Sequence, residues 1–572
     1  MKNFKETANF IWSIADLLRG DYKQSDYGKV ILPLVVLRRL DCVLEGTKDK
    51  VLKKLVEVKA MKVKNVDPIL NKVAGFNFHN KSKFNFDKLV ADPNNITANL
   101  LDYINGFSED AYEIIEEFEF DNQIVKMDEN NLLFMVVKRF QEIDLHPNKI
   151  SSMEMGYLFE ELIRKFAEIS NETAGEHFTP REVIRLMINL LFLNDRDILT
   201  KKGIVKTIYD CCAGTGGMLS VAEEYLHELN PDARLEVFGQ ELNAESYAIC
   251  KSDMIIKGQN ASNIKKGNSI SEDKLPNEKF DYLITNPPFG VKWEKFAKPV
   301  KEEHEKDGHG GRFGAGLPSI SDGSFLFIMH LMSKMKPEGS RLAIVFNGSP
   351  LFSGSPSTAK NESSIRQWII ENDMLEAIVA LPNQLFYNTG ISTYIWIVSN
   401  HKPKNRKGKV QLINSESYFK KMSKSLGDKR NELSEDHIKQ ITKLYGDLKE
   451  NEYSKVFDNA EFGYNKVTVE RPERDAKGKI ITDKHGNPKP DSSLRDTENI
   501  PLKENIQAYM KREVLPHVPD VWIDDSKNRV GYEINFTKYF YQYKPLRGLQ
   551  DIKKDILALE QETDGLIKRV IA

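Results

Sequence analysis

Short β-rich runs alternate with helical stretches through the middle of the chain, and this alternation limits the fold more than any other feature of the sequence. Each of the first runs is followed by a segment with helical periodicity before the next run begins. Strands that alternate with helices predict a parallel sheet with helices on both faces, which is an α/β fold. The predicted strands are residues 205–210, 234–240, 280–285, 341–346, 375–381 and 392–399, and the predicted helices are residues 217–229, 243–257, 323–336 and 361–372.

The last two predicted strands differ from the others because only a short loop, and no helix, separates them. They are LEAIVAL (375–381) and STYIWIVS (392–399). A short connection joins antiparallel strands, whereas parallel neighbours need a longer crossover. We therefore expect an antiparallel hairpin at one end of the sheet.

The regions that flank the α/β segment have a different pattern of apolar and polar residues. Apolar residues recur at helical spacing in residues 10–18, 30–45 and 152–168, which predicts a helical N-terminal domain. After Asn400 the periodicity weakens, and residues 471–493 are polar with Pro and Gly, which indicates an exposed excursion. The expected regions are a helical domain over residues 1–165, the α/β domain over 166–405, and a mixed, partly helical region over 406–572.

A glycine-rich turn follows the first predicted strand. The strand ends at Asp210 and continues into CCAGTGG, whose glycines let the backbone turn sharply and let a ligand approach before a helix begins. A Walker A loop would need Lys and then Ser or Thr after its last glycine, but Met218 and Leu219 stand there. A dinucleotide fingerprint would need a small residue in place of Leu219. Two interpretations remain: a plain strand-to-helix turn, or the glycine loop of a class I, Rossmann-like methyltransferase that binds S-adenosylmethionine.

Glu241 favours the cofactor interpretation. It ends the second predicted strand, 31 positions after Asp210 (241 − 210), where a carboxylate can accept hydrogen bonds from both hydroxyls of a ribose. Open α/β sheets usually bind ligands in the crevice at the carboxyl ends of their strands. We therefore expect Asp210, the glycine loop and Glu241 to line one site.

The segment GEHFTPREV (175–183) precedes the glycine loop. Thr179 is expected as a helix N-cap, Pro180 as the first helical residue, and Glu182 in the capping-box position. This structural role accounts for Thr179 and Pro180. It leaves Phe178 and His177 unexplained.

The third predicted strand ends in Asn286, Pro287, Pro288 and Phe289. The side-chain carbonyl of Asn286 and the backbone carbonyl of Pro287 can accept both N–H bonds of an exocyclic aromatic amine, and the prolines stiffen this arrangement. The amine lone pair would then point at a methyl donor, and Phe289 would stack on the ring. Because such an amine lies inside a duplex, the base must be flipped out. A Pro-Pro stop after a buried strand is the structural alternative, but it needs neither the amide nor the ring.

Three motifs together carry a family resemblance. In chain order, Phe-Thr-Pro (178–180), the glycine loop (210–217) and Asn-Pro-Pro-Phe (286–289) resemble the motifs of amino-group DNA methyltransferases. The helical N-terminal region and LPNQLFYNTGISTYIWIVS (381–399) more narrowly resemble the modification (M) subunit of type I restriction-modification systems. The chain departs from the family pattern at Cys211, where members often have Pro, and at Asn268, where many methyltransferases have Asp.

The resemblance implies N6-adenine methylation of double-stranded DNA with S-adenosylmethionine as the methyl donor and without a metal. It implies two M subunits on one DNA-specificity (S) subunit, with a restriction (R) subunit joining for cleavage. The implied catalytic residues are Asn286, Pro287, Pro288 and Phe289, and the implied cofactor residues are His177, Phe178, Thr179, Pro180, Asp210, Ala213, Gly214, Thr215, Gly216, Gly217, Glu241 and Asn268.

Other functions share parts of this pattern. Methyltransferases that act on cytosine N4 or on protein glutamine use a similar amide-proline corner, commonly starting with Ser or ending in Tyr, and Phe289 favours adenine only modestly. A non-catalytic assembly subunit could keep the same fold, although the intact Asn286 and glycine loop speak against it. No nuclease motif is apparent in the C-terminal third, which disfavours a fused restriction enzyme.

The composition is that of an ordinary soluble protein. With 572 residues, 40% apolar and 29% charged, the chain is long enough for about three domains. It has neither an apolar run long enough to span a membrane nor a secretory signal. Its four cysteines lack the spacing of a zinc site or a disulfide framework, so we expect a cytoplasmic protein. A net charge of −2 argues against a protein that coats nucleic acid by itself.

Three further segments are candidates for contacts. GHGGRFGAGLP (308–318) could be a mobile loop that orders over a flipped base, with Arg312 on a phosphate, or an ordinary surface loop. The basic run HKPKNRKGK (401–409) could meet DNA but is more simply a solvated turn. The apolar stripe of residues 549–566 steps by three and four, interrupted only by Thr563, and the resemblance favours its contact with the specificity subunit.

Overall fold

The N-terminal region is helical, as its periodicity predicts. In the computed structural model, which describes residues 2–170, 179–387, 389–541 and 547–571, this region packs around one central helix that is buried on nearly every side. Its mostly apolar sequence, VILPLVVLRRL, explains why it is enclosed by other helices. The helices are α1 Lys2–Ile14, α2 Tyr27–Leu44 (the central helix), α3 Lys48–Ala60, α4 Asp67–Ala74, α5 Phe86–Val90, α6 Ile96–Asn105, α7 Glu109–Glu116, α8 Phe120–Glu129, α9 Leu133–Gln141 and α10 Ser152–Ser170.

A nine-stranded sheet organises the middle of the chain, in the order β11-β8-β6-β7-β5-β4-β1-β2-β3. β7 and β11 run against the direction shared by the other strands. β6 and β7 are buried along their whole length, as expected where helices cover both faces. The strands up to β11 are β1 Val205–Asp210, β2 Arg234–Glu241, β3 Ile264–Lys266, β4 Tyr282–Thr285, β5 Arg341–Asn347, β6 Leu375–Ala380, β7 Thr393–Ser399, β8 Lys409–Asn414, β9 Lys420–Leu426, β10 Lys429–Glu432 and β11 Ser454–Asp458.

The α/β fold and the antiparallel β6–β7 pair are confirmed, but this pair lies inside the sheet and not at its end. β8 adds in parallel to β6, and β11 pairs antiparallel with β8. Gln411 in β8 interrupts the apolar pattern that would have marked the strand. Its buried amide is satisfied by Arg406, by the carbonyl of Leu444 and by the hydroxyl of Ser454.

Helices cover the sheet, and most begin where the sequence predicts. The capping of the first one differs from the expectation. α11 begins at Arg181, Pro180 is its N-cap, and no side chain caps it. Glu182 pairs with Lys429 and makes no capping box with Thr179. The helices are α11 Arg181–Phe192, α12 Arg196–Leu199, α13 Gly217–Leu229, α14 Ala244–Ile256, α15 Ala297–Asp307, α16 Ser324–Ser333, α17 Ser349–Phe352, α18 Glu362–Glu371 and α19 Glu435–Asp447.

The residues after the large sheet form a second, smaller sheet. β12 Gly463–Glu470 pairs with β13 Asp496–Pro501, β14 Trp522–Ile523 and β15 Arg529–Tyr532. A small apolar core around Val467 and Ile500 joins it to the short helix α20 Ile506–Tyr509 and the turn after it. The polar segment 471–493 is mostly exposed and connects β12 to β13.

The chain divides into two units, Met1–Ile534 and Asn535–Ala572. The second unit contains α21 Phe536–Phe540 and the long helix α22 Leu549–Ile571. Leu549, Ile552, Ile556 and Leu559, which belong to the predicted stripe, are exposed. Over the residues that the structure describes, no helix is both long and apolar enough to cross a membrane.

Candidate active site

A cavity of about 560 Å³ lies at the edge of the sheet where β1, β2 and β4 end. Its size is within the range of small-molecule sites, about 300–1,000 Å³. Segments far apart in the sequence meet here because the carboxyl ends of parallel strands share one edge. The predicted site residues that line it are Thr179, Asp210, Ala213, Gly214, Thr215, Gly217, Glu241, Asn268, Asn286 and Pro288.

Four other predicted residues that the structure describes do not line the cavity. Pro180 precedes α11, and Gly216 precedes α13. Pro287 is buried, and Phe289 is half-buried. His177 and Phe178 lie outside the described residues.

The glycine loop has the backbone that its sequence predicts. Gly214 and Gly216 have φ angles of 54° and 83°, which favour glycine. A Cβ atom on Gly216 would lie 2.8 Å from the sulfur of Cys250, so a side chain there would also clash with α14. The tight turn leads directly into α13, which begins at Gly217 and directs its first N–H groups toward the loop.

Glu241 is held by the loop that it faces. One carboxylate oxygen accepts a hydrogen bond from the backbone N–H of Gly214 at 2.7 Å, and the other accepts one from the N–H of Asn243 at 2.7 Å. The residue is 7% exposed and lines the cavity. Each oxygen keeps a second lone pair for a ligand, so the carboxylate can accept two hydroxyl groups in a fixed orientation.

Asp210 links the glycine-loop side of the cavity to the corner that Asn286, Pro287, Pro288 and Phe289 form. Its Oδ1 atom accepts hydrogen bonds from the N–H of Cys212 at 2.9 Å and from the hydroxyl of Thr285 at 2.7 Å. Thr285 is fully buried and immediately precedes Asn286. Burial raises the pKa of Asp210 to about 7, and the nearby charge of Glu241 adds to this rise.

Asn268 shapes the turn after β3. Its side-chain oxygen accepts hydrogen bonds from the N–H groups of Ile270 at 2.9 Å and Ser271 at 3.2 Å. Asn268 also lines the cavity. Because its oxygen is used by the turn, its NH₂ group is what it can offer to a ligand.

Asn286 differs from every other polar group described above. Its side-chain oxygen is buried and accepts no hydrogen bond from any described residue. A buried, unpaired acceptor costs about 1–3 kcal/mol, so it is uncommon in a folded protein. This oxygen belongs to a cavity-lining residue, in the same cavity as Glu241 and the glycine loop.

The ring of Phe289 packs against the loop after β6. It makes an edge-to-face contact with Phe386, with ring centroids 6.2 Å apart and an interplanar angle of 70°. Phe289 is half-buried and packs on the main apolar core. This contact fixes the orientation of the ring that ends the Asn-Pro-Pro-Phe corner.

Two residues that sequence reasoning missed support the glycine loop from the helical region. Arg181 pairs with Glu160 of α10 at 3.0 Å and donates a hydrogen bond to the carbonyl of Gly217 at 3.2 Å. Glu160 also lines the cavity, and burial raises its pKa against the opposing effect of Arg181. Neither residue belongs to one of the predicted motifs. In the sequence, Glu160 looks like a surface charge on an amphipathic helix.

The glycine-rich segment 308–318 packs against the turn after β3. Arg312 forms an ion pair with Glu303 at 2.7 Å and donates to the carbonyls of Ser269 and Ile270 at 2.8 and 3.0 Å. Phe313 in this segment is fully buried. Arg312 is therefore committed to the turn after Asn268, which disfavours the alternative in which it contacts a phosphate.

Two family models match the chain. The model described as N-6 DNA Methylase matches residues 151–476, and the model described as HsdM N-terminal domain matches residues 7–140.

Two relatives are methylase subunits of type I restriction enzymes. The methylase subunit of the type I restriction enzyme MjaIX from Methanocaldococcus jannaschii is 27% identical over 76% of this chain and 76% of its own length. The HindI methylase subunit from Haemophilus influenzae is 27% identical over 46% of this chain and 54% of its own length.

Two solved structures share the fold. A type I restriction-modification methyltransferase subunit from Streptococcus thermophilus matches 80% of this chain and 97% of its own, with a TM-score of 0.61 and 22% identity. A modification subunit of a type I restriction enzyme from Vibrio vulnificus matches 85% of this chain and 96% of its own, with a TM-score of 0.52 and 17% identity.

Proposed function

The chain belongs to the N-6 DNA methylase family, and we propose that it is the modification subunit of a type I restriction-modification complex. In this proposal it methylates the N6 amine of adenine in double-stranded DNA with S-adenosylmethionine. The observation that carries the proposal is the buried, unpaired side-chain oxygen of Asn286, a residue that lines the same cavity as the glycine loop and Glu241.

The residues of the cofactor side fit S-adenosylmethionine. The carboxylate of Glu241 would accept the two ribose hydroxyls, and the glycine loop allows close approach to its backbone. Asp210 and Glu160 place carboxyl groups around a cationic ligand. When bound, the cofactor supplies an electrophilic methyl group on a sulfonium sulfur.

The residues of the target side would position the amine. The side-chain oxygen of Asn286 and the backbone carbonyl of Pro287 accept its two N–H bonds, which turns the nitrogen lone pair toward the methyl donor. The amine nitrogen would form a bond to the methyl carbon while the carbon–sulfur bond of the donor breaks, which leaves a neutral thioether, and the amine would release one proton to water. Holding the reacting atoms in line lowers the barrier without a covalent enzyme intermediate.

The base must leave the duplex to reach this cavity, because its amine is paired inside the double helix. Unstacking and unpairing cost a few kcal/mol, which contacts in the pocket offset. Phe289 would supply one such contact by stacking on the flipped adenine. Its ring is held in orientation by Phe386.

The proposed assembly follows the named relatives, which are subunits of type I restriction enzymes. We propose that two copies of this chain bind one specificity subunit and that a restriction subunit completes the complex. The exposed stripe of α22 is the proposed contact with the specificity subunit. The net charge of −2 agrees with a chain that depends on a partner for stable DNA binding.

The test is to identify the methylated product. The full chain and its specificity partner are incubated with duplex DNA and labelled S-adenosylmethionine, and the digested nucleosides are analysed by mass spectrometry. We expect N6-methyladenine. N4-methylcytosine, a methylated glutamine in a protein, or cofactor binding without any transfer would each reject the proposal.

A further inference from the structure

A two-stranded hairpin, β9–β10, extends from the same sheet edge as the candidate active site. β8 is parallel to β6, with Ala380 opposite Asn414, so both strands end at the edge where β1, β2 and β4 end. The chain leaves β8 at this edge and forms the hairpin over residues 420–432. The topology therefore places the hairpin on the same side of the sheet as Asn286.

The hairpin is fixed to the loop after β6 by its own backbone. The N–H of Asp428 donates to the carbonyl of Tyr387 at 2.9 Å, and the N–H groups of Arg430 and Asn431 donate to the carbonyl of Gln384 at 2.9 and 3.1 Å. A Cβ atom on Gly427 would lie 2.5 Å from the carbonyl oxygen of Tyr387, so only glycine fits there.

The same loop contacts the catalytic corner. Phe386 lies between Gln384 and Tyr387 in the sequence and packs edge-on against Phe289. The ammonium group of Lys429 strengthens the attachment by donating to the carbonyl of Leu385 at 2.9 Å. A continuous series of contacts thus runs from the hairpin to the corner.

Four of the exposed side chains of the hairpin are basic. Lys420, Lys421, Lys424 and Arg430 are exposed, and none of them forms an ion pair with any described carboxylate. Residues 420–432 carry five basic and two acidic residues, a charge of +3 (5 − 2), while the whole chain is at −2. The positive charge is therefore concentrated locally.

The basic run 401–409 shows that charge alone does not mark this surface. It connects the end of β7 to the start of β8, at the opposite edge of the sheet. Two of its basic residues, Lys402 and Arg406, are buried and paired with Asp373 and Glu376 at 2.7 and 3.1 Å. Its exposed lysines, Lys404, Lys407 and Lys409, face away from the active site edge.

From this geometry we infer that the β9–β10 hairpin binds the phosphates of the DNA strand beside the flipped base. The inference rests on the proposed function, since it takes DNA as the substrate. Flexible, unpaired ammonium groups suit phosphate oxygens, which require no base-specific geometry. The hairpin would hold the duplex against the corner while the specificity subunit selects the site.

The experiment compares two matched triple variants of the full chain, each assembled with the specificity partner. One carries Lys420→Gln, Lys421→Gln and Lys424→Gln on the hairpin. The control carries Lys404→Gln, Lys407→Gln and Lys409→Gln at the opposite edge. Binding to a fluorescent duplex of arbitrary sequence is measured by anisotropy at several salt concentrations, and S-adenosylmethionine binding is measured in parallel.

We expect the hairpin variant to flatten the dependence of log Kobs on log salt by about 0.9 per lysine, or about 2.7 in total. From 50 to 200 mM salt the wild type would then lose about 40-fold more affinity than this variant. The control variant should match the wild type, and both variants should bind the cofactor normally.

Three results would overturn the inference: an unchanged salt slope in the hairpin variant, an equal loss in the control variant, or a wild-type chain whose DNA binding ignores salt. An acidic protein partner for the hairpin would appear as the first of these. Failure of the proposed function is seen separately, as absence of N6-methyladenine with a normal hairpin effect.

Discussion

The two halves of the cavity are built in opposite ways. On the cofactor side, both oxygens of Glu241 and one oxygen of Asp210 already accept hydrogen bonds from the protein. On the target side, the oxygen of Asn286 is buried without a partner among the described residues. A satisfied half is rigid before its ligand arrives, whereas an unsatisfied half would be stabilised only when its proposed ligand, the amine, binds. Substitutions in the two halves should therefore affect different steps.

The largest effect is expected at the unpaired oxygen. Asn286→Ala should lower the rate of methyl transfer by about 10²–10³-fold, the loss typical of removing one pre-positioned polar group. The affinity for labelled S-adenosylmethionine should stay within a factor of about two. Thermal unfolding should show no loss of stability, because the substitution removes a buried acceptor that has no partner.

Asn286→Asp serves as the matched variant, because it keeps an acceptor oxygen at the same place. It should retain more transfer than Asn286→Ala. If Asn286→Ala transfers methyl groups at the wild-type rate, the proposed contrast between the two halves is wrong.

The reverse pattern is expected for the cofactor side. Glu241→Ala should weaken S-adenosylmethionine binding by about 10–100-fold, since it removes charge-assisted hydrogen bonds worth about 1.5–3 kcal/mol. Transfer should recover at saturating cofactor. Isothermal titration and cofactor-dependent rates measure the two quantities, and a rate that stays low at saturation would show that Glu241 also acts on the target.

A smaller effect is expected from the ring of the corner. Phe289→Leu keeps apolar volume but removes the stacking face, so kcat/KM for DNA should fall about tenfold, within the range of base–aromatic stacking. Cofactor affinity should not change. Phe386→Leu, which alters only the neighbouring ring, is the control and should lose less activity; an equal loss would indicate general disruption of the corner.

The smallest effect is a pH dependence of cofactor binding. The pKa of Asp210 is about 7 in the free chain because of burial, and a cationic ligand favours its ionised form. Affinity should therefore fall as pH drops below about 7, by at most about tenfold per pH unit. Asp210→Asn should flatten this profile, and a wild-type profile that is flat between pH 5 and 8 would contradict the role of Asp210.

The same pKa predicts the sign of a stability change. Because the folded pKa of Asp210 lies above the ordinary value of 3.8, its contribution to stability is complete below about pH 4 and is lost as pH rises to about 7. The Asp210→Asn variant should lack this part of the pH dependence in denaturant titrations without cofactor.

Much of the fold and of the cofactor side could be predicted because their signals are local. Each strand of the α/β segment is a short apolar run, and the glycine loop must turn within a few residues. The spacing of Asp210 and Glu241 then follows from one strand-helix-strand unit. The periodicity of apolar residues and the residue preferences of turns both act over a few neighbouring positions, so both can be recognised in the sequence.

The remaining features depend on contacts between distant segments. Arg181 and Glu160 support the glycine loop through a pairing that no spacing indicates. Arg312 carries the charge expected for a phosphate contact, but Glu303 binds it. Likewise, the basic run 401–409 looks more strongly basic in the sequence than the β9–β10 hairpin does. The topology nevertheless places this run at the edge of the sheet opposite the candidate active site. Charge type is readable from sequence, whereas the partner of each charge is set by the tertiary fold.

The outer strands of the large sheet have a practical consequence for anyone who trims the protein. A chain cut near residue 405 would remove β8 and leave the backbone of β6 as an open edge, a template for aggregation. It would also delete Arg406, one of two arginines that neutralise the enclosed carboxylate of Glu376. Losing a partner of a buried ion pair costs about 3–5 kcal/mol. Minimal versions for crystallisation or assay should therefore extend past Asp458.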